Sequence, residues 1–130
     1  LLRMGMMRVV RYHLHRQPDD VACMLVRLKM DGSVLGGLVT IDYPDVHQSI
    51  HVVSFLTRDG KRTSAGVGLI DDWYQRCLAK GIRYVNFGIV WKKGDPKSWQ
   101  GYSNFKKQFA IHQVYYPRWR VRFVKAKLRL

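Results

Sequence analysis

The residues best equipped for chemistry are consecutive: Arg58-Asp59-Gly60-Lys61-Arg62-Thr63-Ser64-Ala65-Gly66-Val67-Gly68. They join an apparent strand ending at Leu56 to an apparent helix running from Leu69 to Lys80. A glycine-containing turn that opens a helix presents backbone N–H groups without intrahelical partners, and these groups, with the helix dipole, attract an anion. Arg58, Lys61 and Arg62 reinforce that field. The chemistry on offer is the holding of an anion, although an ordinary hairpin or βα turn with solvated cations uses the same residue types.

A second group lies between Gly88 and Trp99. Trp91 and Trp99 are suited to stacking on bases or a sugar, with Lys92, Lys93 and Lys97 on phosphates. The competing reading makes the tryptophans packing anchors and the lysines a wet rim. Asp71 and Asp72 are adjacent rather than a helical turn apart, a poor metal pair, and their place early in a helix suits the dipole. Cys23 and Cys77 are too few for a disulfide framework and too scattered for a metal centre. Both are expected as buried free thiols, which points to a reducing, cytoplasmic setting. No metal is expected.

Charge narrows the partners. The 130 residues carry 23 lysines and arginines against 9 acids, a formal net charge of +14. Every acid is aspartate, and none follows Asp95, so the segment from Lys97 to Arg129 is cationic throughout. Such a field favours a polyanion: RNA, DNA, a nucleotide cofactor or an acidic membrane surface. It equally suits docking onto an acidic partner domain, or a solvated basic face. No apolar run approaches the roughly 20 residues that cross a bilayer, so no transmembrane segment is expected.

The elements that must position these groups read as a strand-rich α/β unit, a single domain over 1–130. Met6 to His15 is expected as a first strand. Ala22 to Met30 alternates as a second, and Asp31-Gly32 is a hairpin signal. Val34 to Ile41 returns, with Gly36-Gly37 allowing a close approach or bulge, and Ser49 to Leu56 follows the loop around Pro44. Leu69, Ile70, Trp73, Cys77 and Leu78 then mark one stripe of a helix capped by Gly81. Ile82 to Phe87 is expected as a strand parallel to Ser49–Leu56 through a right-handed crossover. A turn from Pro96 to Trp99, a short helix holding Phe105 and Phe109, and strands at His112–Tyr116 and Arg118–Val124 complete the order β-β-β-β-α-β-α-β-β. The last strand places Arg118, Arg120 and Arg122 on one face or edge. The incomplete glycine pattern and the antiparallel hairpins exclude a dinucleotide-binding Rossmann unit.

The succession from Ala22 to Phe123 resembles the core of the GNAT superfamily of N-acetyltransferases, without its first helices. More closely it resembles the Fem family of aminoacyltransferases, which take an amino acid from charged tRNA. In GNAT enzymes the loop after the fourth strand reads Gln/Arg-x-x-Gly-x-Gly/Ala and holds the coenzyme A pyrophosphate. Thr63, Ser64, Ala65, Gly66, Val67 and Gly68 stand at those positions; the glycines agree and Thr63 departs. Asn86 falls where the family's fifth strand often carries asparagine. Phe105-Lys106-Lys107-Gln108-Phe109 and Lys80 to Gly88 are similar to the Fem-like branch, with Phe105 where a catalytic tyrosine often stands.

The resemblance implies an α/β acyl-CoA N-acyltransferase fold, either half of a tandem protein or a reduced module. It implies transfer of an acetyl or aminoacyl group to an amine from a phosphorylated donor, acetyl-CoA or another acyl-CoA, or aminoacyl-tRNA. Arg62 and Thr63 through Gly68 would hold the donor, with backbone donors near Phe55 and Phe87 where the central strands separate. In the absence of glutamate, His51 is the candidate base, and Tyr102, the hydroxyl nearest Phe105, is the candidate acid; Asn86 completes the set. Surface or packing roles remain open for His51 and Tyr102. The alternatives are a noncatalytic nucleic-acid-binding module and a docking domain for an acidic partner or a second copy.

Overall fold

The computed structural model describes residues 2–27, 30–109 and 111–115. The chain divides into two compact units, Leu1–Ile89 and Val90–Leu130. The first begins with helix α1 (Leu2–Arg16) and continues through strands β1 (Val21–Arg27), β2 (Val34–Tyr43) and β3 (Gln48–Leu56). A single helical turn, α2 (Arg58–Arg62), then precedes the long helix α3 (Ala65–Ala79) and strand β4 (Tyr84–Asn86). The second unit holds a short 3-10 turn, Lys97–Trp99, and helix α4 (Gln100–Lys107).

The strands form a mixed sheet in the order β1-β2-β3-β4, antiparallel except for the β3–β4 pair. The mixed α/β class and the parallel return of β4 agree with the sequence. The order differs at both ends. Met6–His15 is not a strand but part of α1, so a helix does precede the meander. Adjacent Val9 and Val10 favour a strand locally, yet Val10 and His13, three apart, both become buried, and Val10 clusters with Ile41 and Val52. Packing outweighs local preference there. Residues 112–115 are not in a strand, and Arg118–Val124 lies outside the described residues.

The two long helices cover opposite faces of β2. Val10 of α1 meets Ile41, while on the other face Lys80, the C-cap of α3, reaches Asp42 at 2.6 Å. β2 is therefore buried from Leu35 to Leu38 and again from Thr40 to Asp42, covered on both faces rather than alternating. Trp73 anchors α3: its indole N–H donates to Ser49 Oγ at 2.8 Å, and its ring meets Phe87 edge-on at 5.3 Å. Cys77 is buried beside this core, as expected; Cys23 is exposed, which corrects the expectation for that thiol. Its residue faces the side of the sheet that α1 occupies, opposite Val39 on β2, but beyond the helix's cover.

Two bulges set the geometry of the working end. The β2–β3 register skips one residue, pairing Val39 with Val53 and Thr40 with His51, which leaves Val52 extra. Val52 and Val53 therefore share a face, and from there Leu56 returns to the α3 side, beside Leu69 across Gly36. The β1–β2 register skips Leu35, whose carbonyl then accepts both the Thr57 N–H at 2.9 Å and the Thr57 hydroxyl at 3.0 Å. Thr57 in turn caps α2 by accepting from the Gly60 N–H at 3.1 Å.

Gly60 is required at that junction. A Cβ there would sit 1.9 Å from Leu35 O, a backbone atom already held by two bonds. Gly60→Ala is expected to lower stability by about 1–3 kcal/mol or more, read as a fall in the melting temperature.

Candidate active site

β4 pairs with β3 over only three positions, Gln48↔Tyr84, Ser49↔Val85 and Ile50↔Asn86, whereas β3 continues to Leu56. The sequence explains why the ladder stops. Asn86 Oδ1 accepts the Gly88 N–H at 2.8 Å, an Asx-type turn, and Gly88 takes φ +73°, which a side chain resists. The chain is thereby turned away from β3 just past His51. Among the described residues no other strand pairs with β3 along that edge. The result is a strand edge that opens at His51, with the start of α3 following from its far end.

Each candidate has a definite place. His51 is the first β3 residue past the ladder; its ring is on the α3 side, 6.3 Å from Trp73. Asn86 ends the ladder and its side chain is committed to the turn at Gly88. Phe55 lies further along β3, 52% exposed, across Gly37, where a Cβ would come within 2.6 Å of its ring. Phe87 is buried between Trp73 and Tyr74. These four belong to the first unit. Tyr102 belongs to α4 in the second, where the Lys106 ammonium lies 4.5 Å above its ring. Burial lowers the Lys106 pKa to about 8.

The segment from Arg62 to Gly68 is more structured than a simple turn. Arg58–Arg62 winds into α2, and the Thr63 hydroxyl donates back to Asp59 O at 3.0 Å. Ser64 takes a left-handed conformation, φ 56°, and its side chain makes no capping bond to α3. The Val67 and Gly68 N–H groups both turn to Ser64 O, at 2.9 and 3.4 Å. That leaves Ala65 and Gly66 as the opening amides of α3, both in buried residues, while Arg62, Thr63, Ser64, Val67 and Gly68 are exposed. Nothing lies within 4 Å of a Cβ built on Gly68, so the outer side of this helix opening is clear.

The second candidate group stays local. The Trp91 indole donates to Asp95 O at 3.1 Å and its backbone N–H to Ser103 Oγ at 2.6 Å. Lys92, Lys93 and Lys97 are exposed. Arg118, Arg120 and Arg122 fall outside the described residues. Among the described residues no cluster of three or more His, Cys or Asp side chains is arranged to hold a metal ion, and no helix is long and apolar enough to cross a membrane.

One feature was missed from sequence. Val9 of α1, Ile41 and Tyr43 of β2, and Ile50, His51 and Val52 of β3 line a cavity of 220 Å³. Reading Met6–His15 as a strand removed the wall that α1 supplies; the helical spacing of Val10 and His13 was the available signal.

A mixed sheet whose short last strand leaves its parallel neighbour, with a helix opening at the far end of that neighbour, defines an acyltransferase-type fold. The acetyltransferase (GNAT) domain family model matches residues 4–107, and the chain belongs to that family. Among solved structures, the ribosomal-protein-alanine N-acetyltransferase from Brucella melitensis biovar Abortus 2308 is similar, with a TM-score of 0.58 and 14% identity. The match covers 82% of this chain and 74% of that one, and it speaks to the fold alone. No curated protein matches the chain in sequence.

Proposed function

We propose that this chain is an N-acyltransferase that takes its acyl group from an acyl-CoA, acetyl-CoA being the first candidate, and passes it to an amine. The observation that carries the reading is the short β3–β4 ladder, which ends at Ile50↔Asn86 and leaves β3 running on past His51. A donor laid along that edge finds backbone groups of β3 already extended, as an added strand would. Acyl-CoA, when bound, supplies an electrophilic thioester.

The chain's own residues then have separable tasks. Arg62, Thr63, Ser64 and the opening amides of α3, Ala65 and Gly66, meet the pyrophosphate, with Val67 and Gly68 completing the turn around Ser64. Phe55, exposed at the far end of β3, offers a wall for the pantetheine arm. His51 accepts the proton the amine sheds, and Asn86 fixes the opening by holding Gly88. The exposed Cys23 thiol suits a reducing, cytoplasmic setting.

Coenzyme A titrated calorimetrically into the protein tests the donor. Saturable binding is expected, and Arg62→Glu is expected to weaken it by about tenfold, less so at high salt. Binding that ignores Arg62→Glu removes the loop from the donor site. Binding of aminoacyl-tRNA without binding of coenzyme A moves the donor to the charged-tRNA class.

A further inference from the structure

We infer that the cavity between α1 and the β2–β3 surface receives the acceptor, and that this acceptor is an apolar α-amino acid presenting its free amine. The inference rests on the transferase reading for the reaction, but the cavity and its charge stand apart from that reading.

The cavity selects by shape and polarity. Its 220 Å³ is bounded by Val9, Ile41, Ile50 and Val52, which suits a compact hydrocarbon group such as a leucine or phenylalanine side chain. No carboxylate lines it. A lysine ammonium threaded inward would be desolvated without a countercharge. Tyr43 supplies a phenol, 3.3 Å from His13 Nε2 and still able to bond a ligand, because a hydroxyl both donates and accepts.

Position ties the cavity to the reaction. Ile50 is at once a cavity wall and the last β3 residue paired with β4, so the cavity abuts the place where the strand edge opens. An amine on a group seated here reaches that edge. Its nitrogen bonds to the acyl carbon, the carbon–sulfur bond breaks, and the proton lost by nitrogen crosses the strand edge through water to His51, whose ring is on the α3 side, and passes on to the departing thiolate. The products are an N-acyl amino acid and free coenzyme A.

Charge chooses among amines. α1 carries Arg8, Arg11, His15 and Arg16 exposed, has no acidic residue, and supplies Val9 to the cavity. With a net charge of +14 on the whole chain, the field repels a lysine-rich peptide and draws a ligand bearing a carboxylate. An α-amino acid supplies that carboxylate beside the reacting amine.

The test titrates L-phenylalanine, phenethylamine and a lysine-rich peptide into the protein with and without saturating coenzyme A. L-phenylalanine is expected to bind about tenfold or more tightly than phenethylamine. Val9→Trp, at a half-exposed rim position, fills the cavity and is expected to abolish amino-acid binding while the melting temperature stays near wild type. It should leave coenzyme A binding within about twofold of wild type. Arg8→Glu with Arg11→Glu should weaken L-phenylalanine but not phenethylamine. The inference is overturned by tighter binding of the lysine-rich peptide, by amino-acid binding that Val9→Trp leaves intact, or by no saturable amino-acid binding. Amino-acid binding without coenzyme A binding overturns the transferase reading and keeps the pocket; the reverse keeps the transferase and removes the pocket.

Discussion

His51→Ala is expected to lower the acyl-transfer turnover by about 100-fold or more, the scale of a lost general base, while the affinity for coenzyme A stays unchanged. His51 is the first β3 residue beyond the three-pair ladder, and Gly88 turns the neighbouring chain away beside it. Replacing it with alanine leaves the register of β3 untouched, because His51 is paired with Thr40 through backbone. Added imidazole should restore part of the rate, which a merely structural defect would not permit. A turnover within a few-fold of wild type removes His51 from the mechanism.

Trp73→Ala is expected to cost about 3–5 kcal/mol and to lower the melting temperature by about 10–20 °C. Trp73 is 1% exposed and connects α3 to β3 through Ser49, and to the segment after β4 through Phe87. Truncation opens a cavity and leaves the Ser49 hydroxyl without its indole donor. Trp73→Phe separates the two effects: it keeps most of the packing and loses about 1 kcal/mol for the hydrogen bond. A melting temperature unmoved by Trp73→Ala contradicts this packing account.

The middle of the fold was legible in the sequence because its local signals agree with its packing. Asp31-Gly32 forms the hairpin between β1 and β2, and the Asp31 carboxylate accepts the Ser33 N–H, which also holds its pKa below the usual carboxylate range. The stripe of Leu69, Ile70, Trp73 and Cys77 becomes the buried face of α3. The exposed Leu78 is the exception within that stripe. The opening helix was harder to read: Val9-Val10 between arginines satisfies either periodicity, and the helical spacing of Val10 and His13 is decided only by the facing Ile41 and Val52. The parallel pairing of β4 was legible, but its length was not. Ile82–Phe87 alternates as well as a longer strand would, and the stop comes from Asn86 folding back onto Gly88.

The donor segment shows a similar division. Its glycines marked the helix start, but nothing in the local pattern indicated that Arg58–Arg62 would wind first. That turn depends on the Leu35 carbonyl, far away in the chain, being set free by a bulge. The cavity beneath α1 depends on three separate elements and had no contiguous signal.

The extra residue at Val52 gives β3 two phases of inward and outward side chains, joined at one point. Removing Val52 would restore a uniform phase while every paired residue from Val53 to Leu56 kept its face, so Phe55 and Leu56 would stay where they are and the loss would fall on the contact with Val10 and Ile41. A homologous chain aligned with a gap at Val52 would therefore keep the far end of the sheet as it is and lose one wall of the cavity beneath α1.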